Sequence, residues 1–221
     1  MSVNGQPRLV GKPAAVSSPP VARPLVLVVD DDVELRETLR DLFASVDLET
    51  RTFASTRELL DAGLPDCPSC LVLDLRLPGS GGLELQKQLN HMGSQIPIVF
   101  LTGHADVSTS VRAMKAGAVD FLPKPFRDQE LLDAVTAALQ ADERRRATDE
   151  DLGELRRLAG QLTPREIDVL RGVKRGLLNK QVAFELGVTE ITVKMHRSSA
   201  GRKLKVKSVV DMLRKLELLK L

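Results

Sequence analysis

Four apolar runs, each leading into a chemically reactive residue, decide the fold of this chain. They are Leu25-Val26-Leu27-Val28-Val29-Asp30-Asp31, Leu71-Val72-Leu73-Asp74, Ile98-Val99-Phe100-Leu101-Thr102 and Val119-Asp120-Phe121-Leu122-Pro123-Lys124-Pro125. An apolar run of this length, bounded by turn residues, is typical of a strand that is buried on both faces. We therefore expect these runs to form the central strands of a parallel sheet.

The residues that end these runs predict a common site. Ligand sites in open parallel sheets lie at the carboxyl ends of the strands, so one edge of the sheet would gather Asp30, Asp31, Asp74, Thr102 and Lys124. Carboxylate oxygens are ligands for a hard cation. A hydroxyl and a lysine suit the oxygens of a phosphoryl group. The sequence thus predicts a site for a divalent cation and a phosphoryl group.

Helical patterns separate the strands. Helices are predicted over 33–45, 55–62, 83–91, 106–117 and 128–140, and a weaker edge strand over 48–53. Strands that alternate with helices predict a five-stranded, doubly wound parallel sheet of the flavodoxin-like type. Asp32 is predicted to cap the first helix and not to bind the cation.

Charge is distributed unevenly along the 221 residues. From Gln161 onward there are 14 Lys and Arg against 6 Asp and Glu, a net charge of +8, which leaves −6 for residues 1–160. This division favours an acidic module joined to a basic module, and the basic one suggests nucleic acid as a partner. Four segments are predicted: a disordered leader over 1–23, the α/β module over 24–140, a partly helical linker over 141–160, and the basic module over 161–221.

The basic module shows only helical patterns. Its first helix opens on Thr163-Pro164-Arg165-Glu166, where Thr is the cap, Pro takes the first position and Glu completes a capping box. Further helices are predicted over 180–186, 190–204 and 208–219. The sequence therefore predicts an all-α module of four helices.

Cys67 and Cys70 form a Cys-x-x-Cys pair, a spacing found in redox and zinc sites. No second pair of Cys or His stands at ligand spacing, so we expect Cys70 to start a buried strand and Cys67 to lie in a loop. Two cysteines in a chain of this length fit a reducing compartment. No run approaches the roughly 20 apolar residues of a membrane span, and we expect a cytoplasmic protein with no membrane partner.

The strand-end motifs resemble the receiver domain of two-component response regulators. The similarity covers Leu25 to Gln140 and rests on Asp30-Asp31, Asp74 with Pro78-Gly79 after it, Thr102-Gly103 and Lys124-Pro125-Phe126. The resemblance implies that Asp74 is the phosphoacceptor and that a phosphohistidine on a sensor histidine kinase is the donor.

The same resemblance implies a Mg²⁺ site and a switch. Asp31 and Asp74 would bind Mg²⁺ directly, Asp30 would lie near by or act through water, and the backbone carbonyl of Arg76 would complete the protein ligands. Lys124 and Thr102 would contact phosphoryl oxygens, and a cis Lys124–Pro125 bond would aim the lysine. Once Thr102 is drawn to the phosphoryl group, Phe121 would fill the vacated space and repack the face of the fourth helix and fifth strand.

The basic module resembles the helix-turn-helix domain of FixJ/NarL (LuxR-type) regulators. The resemblance makes residues 190–204 the recognition helix in the major groove. The predicted DNA-binding residues are Lys180, Thr189, Thr192, Lys194, Met195, Arg197, Ser198 and Lys203. Among these, Lys194, Met195 and Ser198 are expected to reach base edges, while Lys180, Thr189 and Lys203 are expected to contact phosphates.

Two features depart from that pattern. Ala200-Gly201 stands within the recognition helix, where bulkier residues are usual, and predicts a helix that frays or ends early. Lys205 replaces the more common capping glycine.

Together these features predict a transcriptional response regulator that is phosphorylated on Asp74, forms a homodimer and binds promoter DNA. RNA polymerase is a further candidate partner. The receiver would catalyse only its own phosphorylation and dephosphorylation. A phosphorylation-independent regulator is an alternative. An Asp-based phosphohydrolase is a second alternative, which is disfavoured because Arg76 occupies the place of its acid/base residue. A small-molecule-sensing LuxR-type regulator is a third, which the five strand-end residues disfavour.

Overall fold

The computed structural model describes residues 23–103 and 107–221, with Val107 described in its backbone alone. The described residues up to Leu139 form one compact unit, and Gln140–Leu221 form a second. The leader predicted over 1–23 lies outside the described residues except for Arg23. Asp106, where the fourth helix was predicted to begin, lies outside them too.

The first unit contains a five-stranded parallel sheet in the order β2-β1-β3-β4-β5. Its strands are β1 (Leu25–Val29), β2 (Glu49–Phe53), β3 (Ser69–Asp74), β4 (Ile98–Thr102) and β5 (Asp120–Pro123), and its helices are α1 (Val33–Ala44), α2 (Thr56–Ala62), α3 (Gly82–His91), α4 (Val107–Lys115) and the start of α5 (Asp128–Ala159). The predicted doubly wound α/β class is confirmed.

Both faces of the sheet are buried. Along β1, Leu25, Leu27 and Val29 belong to one core cluster, while Val26 and Val28 belong to another. This alternation places one apolar layer on each side of the sheet, as the continuous apolar runs indicate. Asp32 caps α1, as predicted, by accepting hydrogen bonds from the amides of Glu34 and Leu35.

The two cysteines belong to different layers. Cys70 is buried in the cluster that contains Val26, whereas the half-buried Cys67 packs against the cluster that contains Leu25. Neither cysteine is part of a disulfide bond. Cys70 therefore lies in the buried strand β3 and Cys67 in the loop before it, as predicted.

The second unit is helical. After the last part of α5 it contains α6 (Pro164–Lys174), α7 (Asn179–Leu186), α8 (Glu190–Lys203) and α9 (Val209–Leu218). The predicted capping box at α6 is confirmed: Glu166 N donates to Thr163 Oγ1 at 3.3 Å, and Thr163 N donates to Glu166 Oε2 at 2.8 Å. Gly187 ends α7 in the left-handed conformation, with φ 64°.

Residues 141–160, predicted as a partly helical linker, are helical almost throughout. The helix α5 continues without interruption to Ala159. Ion pairs at i,i+3 and i,i+4 spacing support it, since Asp142 accepts from Arg145 Nε at 3.1 Å and from Arg146 Nε at 2.7 Å. Leu155 and Leu158 then pack in the core of the second unit. This segment therefore contributes core residues instead of only connecting two modules.

The prediction that α8 frays at Ala200-Gly201 was wrong. The helix extends to Lys203, and Ala200 is fully buried in a cluster with Leu204, Met212 and Leu216. Ala200 thus anchors the last turns of α8 in the core of the unit, and this burial compensates for the low helix propensity of Gly201. Among the described residues, no helix combines the length and apolar character that a bilayer crossing requires.

Candidate functional site

Three carboxylates meet at the carboxyl ends of β1 and β3. Asp30, Asp31 and Asp74 each offer one oxygen, and these oxygens all lie within 4.8 Å of one another. Asp30 and Asp74 are buried, at 1% and 7% exposure, while Asp31 is exposed. An all-oxygen set of this kind suits Mg²⁺, which prefers carboxylate and water ligands. The strand-end residues therefore converge as the sequence predicts.

Lys124 joins this cluster from the end of β5. Its Nζ lies 2.7 Å from Asp30 Oδ2 and 3.3 Å from Asp74 Oδ2. The Lys124 amide donates to the Thr102 carbonyl oxygen at 2.6 Å, which ties the loop after β5 to the end of β4. The Lys124–Pro125 peptide bond is cis, as predicted. One ammonium group thus bridges two carboxylates from different strands.

Burial and charge act in opposite directions on the pKa values here. Burial raises the pKa of Asp74, although the nearby Lys124 charge and the Arg76 amide lower it in part. Burial alone would lower the pKa of Lys124, but its hydrogen bond to Asp30 and the charges of Asp30 and Asp74 outweigh burial and raise that pKa. The lysine is therefore held in its charged form beside a carboxylate that burial makes harder to ionise.

Local hydrogen bonds hold the carboxylates of Asp30 and Asp74 and the main chain of Asp30. Asp30 Oδ1 accepts from the Asp32 amide at 2.9 Å, and Arg36 Nη1 donates to the Asp30 carbonyl at 2.6 Å. Asp74 Oδ1 accepts from the Arg76 amide at 3.3 Å. Arg76, predicted to offer its backbone carbonyl to the metal, thus contacts the site through its amide, and its side chain is exposed. The metal role of its carbonyl stays a prediction.

Thr102 and Phe121 lie on the same face of the sheet. Phe100 and Phe121 are register partners on β4 and β5, with ring centroids 6.3 Å apart. Thr102 follows Phe100 by two residues and therefore points to the same face. Thr102 is fully buried and Phe121 half-buried. A hydroxyl at the strand end thus stands next to an aromatic pair that packs in the core.

Gly82, the first residue of α3, is a site residue that sequence reasoning missed. A Cβ atom on Gly82 would lie 2.5 Å from the carbonyl oxygen of Asp74. No larger residue fits there without a shift of the β3 end. The double glycine Gly81-Gly82 was the available signal, but the sequence alone indicates only a tight loop.

The predicted DNA-binding residues lie on or near the exposed side of α7 and α8. Five of the eight are exposed and three are half-buried. The exposed ones are Lys180, Thr189, Lys194, Met195 and Ser198, and the half-buried ones are Thr192, Arg197 and Lys203. Val193, which lies between them in the chain, is fully buried. One side of α8 therefore packs on the unit while the opposite side faces outward.

Several of these side chains already have partners. Lys203 Nζ lies 2.7 Å from Glu166 Oε2 and 3.0 Å from the Gln161 carbonyl oxygen, which favours a structural role over the predicted phosphate contact. Thr189 caps α8 by accepting from the Thr192 amide at 3.2 Å. Arg197 Nη1 donates to Asn179 Oδ1 at 3.3 Å, a contact that positions Arg197 beside the start of α7.

Comparisons with known proteins match each of the two units to a family. Residues 26–136 match the family described as response regulator receiver domain, and residues 160–216 match the bacterial regulatory proteins of the luxR family. Nodulation protein W of Bradyrhizobium diazoefficiens is 51% identical over 88% of this chain and 86% of its own. Response regulator protein TodT of Pseudomonas putida is 43% identical over 89% of this chain and 86% of its own.

A solved full-length structure supports the same assignment. The response regulator StyR is 48% identical and has a TM-score of 0.80 over 89% of this chain and 99% of its own. The relatives therefore match both units together and not one unit alone. This chain belongs to the response regulators that combine a receiver domain with a LuxR-type DNA-binding domain, and it is a transcriptional regulator.

Proposed function

We propose that this regulator is switched by phosphorylation of Asp74. The observation that carries the proposal is the convergence of Asp30, Asp31, Asp74 and Lys124 at one edge of the sheet. Asp30, Asp31 and Asp74 would hold Mg²⁺, together with the Arg76 carbonyl and water. The bound cation would neutralise charge on the phosphoryl oxygens during transfer.

The residues supply the remaining chemistry. A carboxylate oxygen of Asp74 attacks the phosphorus of a phosphohistidine on a sensor histidine kinase. The P–N bond breaks, an acyl phosphate forms on Asp74, and the kinase imidazole takes up a proton. Lys124 would move from its contact with Asp74 to a phosphoryl oxygen, and Thr102 would donate its hydroxyl to another. The receiver would thus catalyse its own phosphorylation and the hydrolysis of the acyl phosphate.

The switch would couple this event to DNA binding. With Thr102 drawn to the phosphoryl group, Phe121 would turn into the vacated space and repack α4 and β5. Two phosphorylated receivers would then pair. A dimer of basic units suits a near-palindromic promoter with half-sites about one helical turn apart. Contact with RNA polymerase would follow at the promoter.

On the DNA, α8 would lie in the major groove. Lys194, Met195 and Ser198 would contact base edges, and Lys180 and Thr189 would contact phosphates near the start of the two helices. Phosphate contacts position the protein, and base contacts give it specificity. Lys194→Ala should therefore weaken specific binding more than non-specific binding.

The first test is the solution mass by light scattering, with Mg²⁺, before and after treatment with beryllofluoride or acetyl phosphate. We expect a monomer that becomes a dimer, and an Asp74→Ala variant that stays monomeric. A dimer before treatment would instead support a phosphorylation-independent regulator. Sustained turnover of small phosphate esters would support a phosphohydrolase.

A further inference from the structure

A groove whose charged lining residues are all positive follows one side of α8. It has a volume of about 540 Å³ and continues along the loop between α8 and α9. Its charged lining residues are Lys194, Arg197, Arg202, Lys205 and Lys207. No carboxylate lines this groove within the described part of the chain. Five cations in one groove attract a polyanion and repel one another when it is absent.

A second groove in the same unit shows that such a charge pattern is not general. It lies between α5 and α9 and is lined by three acidic and three basic residues. Ion pairs such as Lys215–Asp211 at 3.3 Å balance its charges. The groove along α8 therefore differs in the charge of its lining residues from a neighbouring groove of similar size.

Arg202 and Lys207 are the cations of this groove that are most available to a ligand. Both are exposed. Within the described residues neither side chain forms a hydrogen bond or an ion pair. The pKa of Asp211 is lowered mainly by the hydrogen bond from the Lys207 amide, and the charge of Lys207 is a minor cause. Lys205, in contrast, lies 3.1 Å from Glu154 Oε1.

The groove is continuous with the proposed DNA-reading side of α8. Met195, Ser198 and Arg202 stand at spacings of three and four residues, so they form one stripe along the helix. Val193 and Ala200 are fully buried on the opposite side. Arg202 therefore extends the outward stripe by one turn beyond Ser198, towards the loop that contains Lys207.

We propose that Arg202 and Lys207 bind phosphates of the DNA backbone next to the bases that α8 reads. This inference rests on the proposed DNA-binding function and adds a second phosphate contact region to it. It also assigns to Arg202 the role that sequence reasoning gave to its neighbour Lys203, which is paired with Glu166. Phosphate contacts of this kind fix the register of the helix in the groove and carry no sequence information of their own.

The test is the salt dependence of binding to a mixed-sequence DNA duplex, measured by fluorescence anisotropy. The full-length protein is used with Mg²⁺ and beryllofluoride, from about 50 to about 200 mM salt. The test variant is Arg202→Gln with Lys207→Gln. The control variant is Arg214→Gln with Lys220→Gln, which removes the same two charges from exposed positions of the same unit.

Each lost phosphate contact lowers the slope of log K against log salt by about 0.9. We expect the test variant to lower the slope by about 1.8 and the control variant to leave it unchanged. An unchanged slope in the test variant, or an equal decrease in the control, would overturn the inference. If the unaltered protein does not bind DNA, the proposed DNA-binding function is wrong, and this inference is wrong with it. Circular dichroism of both variants checks that α8 remains folded.

Discussion

Gly82 approaches the main chain of Asp74 so closely that a Cβ atom on Gly82 would lie 2.5 Å from the Asp74 carbonyl oxygen. Phe100 and Leu73 close the same space, at 3.1 and 3.2 Å. The carbonyl belongs to the end of β3, so it cannot turn aside as the tip of a flexible side chain can. The first residue of α3 therefore constrains the strand end that presents the proposed phosphoacceptor.

Gly82→Ala should consequently damage both stability and phosphorylation. Overpacking of this kind costs about 1–3 kcal/mol, because the strand end or the helix must move. The same movement should displace Asp74 from Lys124 and slow labelling by acetyl phosphate. Thermal unfolding and a time course of acyl phosphate formation would measure the two effects.

Gly81→Ala is the matched control for this prediction. A Cβ atom on Gly81 would lie 3.6 Å from the Leu75 carbonyl oxygen, an ordinary contact distance. We expect near-normal labelling and only the modest loss of stability that a poorer cap causes, since Gly81 is the N-cap residue of α3. If Gly81→Ala and Gly82→Ala changed stability and labelling by the same amount, the close approach at Gly82 would have no effect on function.

Mg²⁺ should stabilise the first unit through its carboxylates. A ligand that binds only the folded state adds RT ln(1 + [L]/Kd), which is about 1.4 kcal/mol when free Mg²⁺ is ten times its Kd. Asp31→Asn should remove most of this increase while the exposed position tolerates the change. Calorimetric melting with Mg²⁺ and with a chelator would measure it.

Asp32→Asn serves as the neighbouring control, since asparagine caps a helix about as well as aspartate. Asp32 accepts hydrogen bonds from the amides of α1 and is not one of the three clustered carboxylates. Its variant should keep the full Mg²⁺ effect. Loss of the effect in Asp32→Asn but not in Asp31→Asn would place the cation elsewhere.

The sequence specifies much of the acidic site because strand ends and side-chain alternation follow from local patterns. Asp30, Asp74 and Lys124 could be assigned to one edge of the sheet without knowledge of their distances. The sequence could not show that Lys124 bridges the two carboxylates, because its ion pair with Asp30 joins residues 94 positions apart in the chain. Gly82 was missed for a related reason: its constraint lies in the main chain of another element.

In the second unit, tertiary packing overrode local propensity. Ala200-Gly201 predicts a weak helix, yet the burial of Ala200 in the core of the unit keeps α8 intact. Lys203 was predicted to contact a DNA phosphate, but its ammonium group contacts Glu166. Its partner Glu166 is 37 residues away and is also the capping-box residue of α6. Ion pairs between helices depend on how the helices pack, which helix propensity does not determine.

Glu166 should make the second unit sensitive to acid. Burial alone would raise its pKa, but hydrogen bonds from Lys203 Nζ, the Thr163 amide and the Ser199 and Thr163 side chains outweigh burial and lower the pKa to about 2. Because this value lies below the ordinary 4.5, the ionised form stabilises the fold. That stabilisation is fully present above the ordinary pKa and is lost as the pH falls towards about 2.

Glu166→Gln should therefore lower the free energy of unfolding by about 1–3 kcal/mol at neutral pH, because Lys203 loses its charged partner. The difference from the unaltered protein should shrink as the pH falls from 4.5 towards about 2. Urea unfolding at a series of pH values would measure it. Glu217→Gln, at an exposed position of α9, should show no such trend. A difference for Glu166→Gln that is constant with pH would contradict the assigned role of its charge.

Two glycines in the second unit should respond to alanine in opposite directions. A Cβ atom on Gly201 would lie 3.5 Å from Met212 Cε, an ordinary contact, so Gly201→Ala should stabilise α8 by about 0.5–1 kcal/mol through helix propensity. A Cβ atom on Gly172 would lie 2.7 Å from Val182 Cγ2. Val182 is β-branched and buried, so it cannot rotate away easily.

Gly172→Ala should accordingly destabilise the unit by about 1–3 kcal/mol, despite the same gain in helix propensity. Both changes add one methyl group within a helix. A difference in the sign of the change in the free energy of unfolding would therefore report packing between helices. Calorimetric melting of the full chain would compare the two. If Gly201→Ala destabilised the unit as well, α8 and α9 would have to pack more tightly at that point than the Met212 contact indicates. Stabilisation by Gly172→Ala would mean that Val182 can shift and that the close approach of α6 and α7 is not a constraint.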